Sequence, residues 1–339
     1  MKKRKLIIYI TVSLIFLIAI VLGTIYYARN KSSIQRQTSV TLRLGISKSF
    51  LSIPIYIAKN EGFFAKEGLN VKIKEYSSGK LATNGMFNGE NDISTVADMP
   101  VVVNSFKRND FCIIATFTYS YNMVKIVTRR DSGIKSVEDL KGKKVGINPG
   151  TSSHFYLASF LLYNKVPISD LKLINIKTVD MPKALLNKKV DAASVWEPYA
   201  QKTIDLLNDN AVVLKAPDIY RTTFSFTAKK KYINEHEEEI IKFLRAIDDA
   251  VDFIHKNREQ SVEIISTDFN IDKKIVSNLW DTYMFGLFLD ESLLINWDSI
   301  ARWEIKNKFV KKERIPNYLN YVCLDLLKKL KSEAVTIIH

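Results

Sequence analysis

Four short segments combine hydroxyl, aromatic and acidic side chains in a way that could hold a ligand. They are Ser47-Lys48-Ser49-Phe50, Ser77-Ser78-Gly79, Gly150-Thr151-Ser152-Ser153-His154 and Trp196-Glu197-Pro198-Tyr199. Each follows a run that reads as a β-strand, and the second and third lead into helical patterns. The first backbone N–H groups of a helix have no internal partner, and the helix dipole adds partial positive charge there. Thr151, Ser152 and Ser153 would add hydroxyl donors, giving a receptor for an anion without a full countercharge. The same hydroxyls could instead cap the helix, and Ser77 and Ser78 could form an ordinary turn. Neither segment is specific alone; their joint placement at strand ends in separate parts of the chain favours a site. Trp196 and Tyr199 offer flat apolar surface, and Glu197 can accept from an amine or a ring N–H. Asp98, in Val96-Ala97-Asp98-Met99-Pro100, is a second candidate acceptor or a helix N-cap. With both acids facing it, a ligand would carry donors or positive charge besides any anionic group.

Bond-making chemistry finds no support in the motifs. The sequence has no Gly-x-Gly-x-x-Gly, no glycine loop ending Gly-Lys-Ser/Thr, no Gly-x-Ser-x-Gly and no His-Glu-x-x-His. The four histidines stand at 154, 236, 255 and 339, and His236 and His255 fall on polar faces of a charged helix. Two cysteines exclude a disulfide scaffold, a Cys-rich zinc module and a four-cysteine iron–sulfur site. Cys112, within Phe111-Cys112-Ile113-Ile114, reads as a buried strand thiol and Cys323 as a thiol on an apolar helix. A bridge between them stays open, since spacing does not give distance. We expect no enzyme, no metal and no cofactor.

Positioning those segments requires alternating strands and helices. Leu42-Arg43-Leu44-Gly45-Ile46 alternates as a strand, and 71–73, 93–96 and 111–117 follow, each separated by a helix-sized stretch. After Arg130 the rhythm restarts at Lys144-Val145-Gly146-Ile147, then 173–176, 192–195 and 212–214. That pattern predicts strand–helix–strand units with largely parallel sheets, in two lobes rather than one continuous sheet. Open sheets of this kind bind ligands at the carboxyl ends of their strands. Ser136 before Val137-Glu138-Asp139-Leu140 reads as a helix start. Asn234, three residues before Glu237, opens a helix whose Ile240, Leu244, Ile247, Val251 and Ile254 share one face. From about Tyr232 onward only helices are expected, around 262–269, 272–284, 292–307 and 317–331.

The chain has 339 residues, suited to two lobes or domains, and a formal net charge of +14. Residues 2–5 read Lys-Lys-Arg-Lys, and 6–28 then run 23 residues without a charge. That length matches a membrane-crossing helix better than the shorter apolar core of a cleaved signal, although cleavage after Gly23 is an alternative. The basic start would stay in the cytoplasm, so everything after Arg29 would be extracytoplasmic, joined to the anchor by the polar linker 30–39. Setting aside the six cations of residues 1–31 leaves +8, which could favour an anionic membrane face or anionic ligands. Lysines interspersed with acids, in this compartment, argue against nucleic acid.

Several stretches resemble bacterial solute-binding proteins of ABC transporters in the nitrate/sulfonate/taurine class, which includes binders of thiamine-pyrimidine precursors. They are Pro54-Ile55-Tyr56-Ile57-Ala58-Lys59, Glu61-Gly62-Phe63-Phe64-Ala65-Lys66-Glu67-Gly68-Leu69, Asp131-Ser132-Gly133-Ile134-Lys135-Ser136, Asp139-Leu140-Lys141-Gly142-Lys143-Lys144, the 150–154 segment, Val190-Asp191-Ala192-Ala193 and 196–199. Order and spacing hold across roughly 41–270. The resemblance implies an α/β two-lobed periplasmic-binding-protein fold (type II) after an N-terminal membrane anchor, with lobe one at 40–122 plus 228–339 and lobe two at 123–227. Ligand would bind between the lobes, on Ser77, Ser78, Thr151, Ser152, Ser153, Trp196 and Glu197; Phe50, Asp98, His154, Tyr199 and Thr222 are further candidates. It implies a monomer delivering a small anion, such as an alkane- or aminosulfonate, to an ABC permease and its ATPase. A nitrogen heterocycle read by Glu197, or a role beside a membrane sensor, is the alternative. A pyrimidine-precursor synthase of related fold carries clustered cysteines that this chain lacks. So does the chain lack the lipid-anchoring cysteine usual in the family, which leaves the mode of anchoring open.

Overall fold

The computed structural model describes residues 40–215 and 218–338. The expected anchor at 6–28, with the basic start and the linker, lies outside them. Among the described residues no helix is long and apolar enough to cross a membrane.

The chain opens with β1 (Val40–Ser47), α1 (Ile53–Asn60), α2 (Phe63–Lys66), β2 (Leu69–Tyr76), α3 (Gly79–Phe87), β3 (Ile93–Ala97), α4 (Asp98–Ser105) and β4 (Phe111–Ser120). It then crosses into a second sheet through β5 (Val124–Arg129), β6 (Lys144–Ile147), α5 (Ser152–Tyr163), β7 (Lys172–Asn175), α6 (Met181–Leu186), β8 (Ala192–Trp196), α7 (Tyr199–Leu207) and β9 (Ala211–Leu214). The return strand β10 (Thr222–Lys229) is followed by α8 (Lys230–Glu235), α9 (Glu237–Lys256), α10 (Arg258–Phe269), α11 (Lys273–Trp280), β11 (Met284–Phe288), α12 (Glu291–Lys306) and α13 (Leu324–Leu330).

The first sheet runs β11-β4-β10-β3-β1-β2 and the second β7-β6-β8-β5-β9. The return of the chain puts β10 and β11 in the first sheet, and the strands that directly follow the two crossings are β5 and β10. Both run antiparallel to neighbours on either side. Strands buried on both faces need unbroken apolar or hydroxyl runs, and β4 and β10 supply them, with Phe117 and Phe226 stacked at 4.0 Å between centroids. On that sheet lies α9, whose Phe243 meets Phe226 edge-on. Its buried Ile240, Leu244, Ile247, Val251 and Ile254 form the expected stripe. Each such side chain stabilises the fold by about 1.5–3 kcal/mol. Glu237, Glu238 and Glu239 in its first turn and Lys256 in its last complement the helix dipole.

Four sequence expectations change. β11 stands where only helix was expected, pairing Met284 with Tyr119 and Phe285 with Thr118; five residues containing Gly286 carry no alternation, so tertiary pairing decides. Asn234 lies inside α8, and His236, not Asn234, stands at the N-cap position of α9, with no side-chain hydrogen bond to the helix. After Ser136 the chain makes one 3-10 turn, Glu138–Leu140, with Asp139 Oδ2 accepting from the Lys135 and Ser136 N–H groups at 2.9 Å. Finally, the return to the first sheet comes between Leu214 and Thr222, ahead of the expected 228, because β10 pairs with β3 from Phe224 onward. Cys112 and Cys323 are free thiols, so the bridge that the sequence left open is not formed.

Candidate functional site

A cavity of about 410 Å³, counting its open mouth, lies between the two sheets. The tip of β1 brings Ser47, Ser49 and Leu51 to it; the segment after β2 brings Ser78, Gly79 and Lys80; the end of β3 brings Ala97 and Pro100. Thr222 and Phe224 come from the start of β10. The second sheet contributes Met123 and Val124 at β5, Thr151 and Ser152 ahead of and opening α5, and Trp196 ending β8. Residues at the starts of four helical segments thus line one space, and each start carries unpaired N–H groups and partial positive charge.

Ser78 both caps and lines: its Oγ accepts from the Leu81 N–H at 3.3 Å. Thr151 does not cap; its Oγ1 donates to Asn148 O at 2.7 Å, so the first N–H groups of α5 are not taken by that side chain. Gly150 precedes it with φ +71, a left-handed conformation that favours glycine, and a Cβ there would stand 3.5 Å from Lys80 Nζ. Ser49 Oγ is buried with no hydrogen-bond partner among the described residues. Unpaired buried hydroxyls are uncommon, and one beside a cavity is a free donor for a ligand. Lys80, half-buried, donates from Nζ to Pro149 O at 3.0 Å across the gap between lobes, and burial pushes its pKa down.

Of the expected site residues, Ser78, Thr151, Ser152, Trp196 and Thr222 line the cavity. Seven do not. Ser77 is half-buried outside the lining. Ser153 is fully buried, its Oγ 3.1 Å from Thr151 Oγ1 and its carbonyl accepting from Ser194. Phe50 packs edge-on against Phe269 and Tyr283. His154 lies against Trp303 and Phe309, centroids 4.8 and 5.1 Å away. Tyr199 is half-buried at the start of α7.

The two expected acceptors are corrected more sharply. Asp98 is buried, and its oxygens take the Thr223 N–H at 2.8 Å, the Thr223 hydroxyl, Trp297 Nε1 at 3.1 Å and the Tyr220 hydroxyl at 3.2 Å. Desolvation raises its pKa against those donors. Glu197 is fully buried, paired through Oε1 with Lys125 Nζ at 2.5 Å, while Oε2 accepts from the Gln201 N–H at 2.9 Å and so caps α7. Neither carboxylate faces the cavity.

Sequence reasoning singled out the segment that holds Ser49 but missed Lys80, Leu51, Met123, Phe224 and Tyr220. A signal for Lys80 was present: a cation second in a helix opposes the helix dipole, and such local conflicts cluster at functional sites. Tyr220 gave none. Its hydroxyl bridges Asp98 and, at 3.4 Å, Ser152 Oγ, joining elements remote in sequence.

Two α/β lobes, linked by two crossings and enclosing a cavity at their strand ends, define the fold of periplasmic binding proteins. Solved structures agree. The periplasmic aliphatic sulphonate binding protein SsuA from Escherichia coli superposes with a TM-score of 0.71 at 22% identity, covering 85% of this chain and 98% of that one. The periplasmic nitrate-binding protein NrtA from Synechocystis PCC 6803 superposes with a TM-score of 0.70 at 14% identity, covering 88% and 89%. In sequence, a Bacillus subtilis (strain 168) protein named for binding aliphatic sulfonates is 27% identical over 308 residues, 88% of this chain and 91% of the relative. Residues 49–261 match the NMT1/THI5 like family, and the chain belongs to it.

Proposed function

We propose that this chain is the extracytoplasmic solute-binding component of an ABC importer, capturing a small anion such as an alkanesulfonate between its lobes. The observation that carries this reading is the cavity lining. Ser49, Ser78, Thr151 and Ser152 stand at helix starts in the same lining as Lys80, and among the described residues no carboxylate joins them. Leu51, Met123, Trp196 and Phe224 supply an apolar wall for an organic tail. No bond need be made. Ligand held by both lobes favours the closed arrangement through its extra contacts there, and the two crossings serve as the hinge. The lobe boundaries follow the sheets, near Ser120–Val124 and Leu214–Thr222. Residues 6–28 would tether the domain to the outer face of the membrane, where a permease and its ATPase receive the solute.

The heterocycle alternative is not favoured, since Glu197, its proposed acceptor, is occupied by Lys125 and Gln201. Calorimetry and thermal melts of the full chain against ethanesulfonate, nitrate, bicarbonate, a pyrimidine and a flavin test the reading. A saturable rise in melting temperature with an anion is expected. Binding of the pyrimidine or flavin, with none of the anions, would overturn it.

A further inference from the structure

Lys80 is the single charged side chain among the described residues lining the cavity, and its surroundings oppose its charge. It stands second in α3, where the helix dipole repels a cation. It is half-buried, and the charge acting on it is another cation, Lys107. Its hydrogen-bond partner is neutral, the Pro149 carbonyl of the opposite lobe. The acids that could have compensated it have their oxygens engaged elsewhere, Asp98 by Thr223, Trp297 and Tyr220, and Glu197 by Lys125 and Gln201. A half-buried cation that shares its cavity with a free donor, Ser49 Oγ, and with no carboxylate among the described lining residues, is a site short of one negative charge.

Resting on the anion-capture reading above, we propose that Lys80 sets the charge preference of the cavity: the ligand bears one negative charge, placed against Lys80, and no amino group. A ligand ammonium would enter a low-dielectric space that already holds a cation and offers no free carboxylate. Like charges a few ångströms apart there are strongly unfavourable, which is discrimination by repulsion. Because Lys80 also reaches Pro149, an anion seated beside it draws on both lobes at once, coupling charge recognition to closure.

Propane-1-sulfonate and taurine are nearly equal in size and differ by an amino group, so calorimetry of the full chain with this pair reads the preference directly. The wild type should bind propane-1-sulfonate at least about tenfold more tightly than taurine. Lys80→Gln should weaken propane-1-sulfonate by about tenfold or more, and Lys80→Arg by less than about threefold, with ligand-free melting temperatures reporting that each variant folds. Equal or tighter binding of taurine by the wild type would overturn the proposal without any variant. So would undiminished affinity in a folded Lys80→Gln. Failure of the wild type to bind either sulfonate, nitrate or bicarbonate would instead remove the anion-capture reading itself, and this inference with it.

Discussion

Lys125 and Glu197 meet in the second lobe with Glu197 fully buried and Lys125 14% exposed, and the pair illustrates how one residue's role depends on its neighbour. In the sequence Glu197 stands beside Trp196 as a plausible acceptor for a ligand amine. In the fold the two residues take opposite duties: Trp196 faces the cavity, and Glu197 turns inward to pair and to cap α7. Removing one partner of a buried ion pair leaves the other charge without compensation. Glu197→Gln should therefore cost about 2–4 kcal/mol in urea unfolding, while leaving the preference among ligands unchanged. Adding Lys125→Met should restore much of the loss, since a neutral pair of similar shape needs no countercharge. A Glu197→Gln cost below about 0.5 kcal/mol would show the pair to be effectively solvated.

Among elements, the start of α5 couples backbone geometry to the cavity. Gly150 turns the chain at φ +71, Thr151 leaves the first N–H groups of the helix uncapped, and Ser152 reaches the lining. Ser152→Leu would place an isobutyl group among those donors; sulfonate affinity should fall at least about tenfold, with stability changed by no more than about 1 kcal/mol. Unaltered affinity in calorimetry would remove α5 from the site. The existence of this start was legible: Gly-Thr-Ser-Ser between an apolar strand and an apolar helix has few other uses. So were the strand tips after β1, β2 and β8, because short apolar runs and turn residues are local signals. What escaped was rotation and partnership. Within 151–154 only Thr151 and Ser152 face the cavity, since helical side chains diverge by about 100° per residue, and the sequence does not say which way the first points. Asp98 read as a ligand acceptor or a cap, and its oxygens instead accept from Tyr220, Thr223 and Trp297, which converge on it from across the fold. β11 was invisible for the same reason, its pairing being non-local.

Across the whole molecule, the lobes also touch away from the cavity, where His154 of α5 meets Trp303 of α12 and Phe309. Its ring nitrogens have no hydrogen-bond partner among the described residues, and burial pushes its pKa down from 6.5 to about 4. The unfolded chain thus takes up the proton first as pH falls. Stability from this residue is fully present above about pH 6.5 and lost toward pH 4, by up to about 3 kcal/mol. Glu304, its carboxyl pushed up to about 7 by burial, acts in the opposite sense, destabilising as pH rises from about 4.5 to 7. Melting curves of His154→Phe should accordingly fall less than those of the wild type between pH 6.5 and 4, and parallel curves would show the ring to be solvated. The two crossings have a further consequence, for biosynthesis. The middle lobe, 124–214, is continuous and holds all five strands of its sheet, whereas the other sheet has β10 and β11 from the far end of the chain. A polypeptide emerging from its amino terminus can complete the middle lobe early, while β3 and β4 wait for β10, made more than a hundred residues later. Until then those strands are unfinished edges, and the half-made protein is most vulnerable to aggregation in that interval.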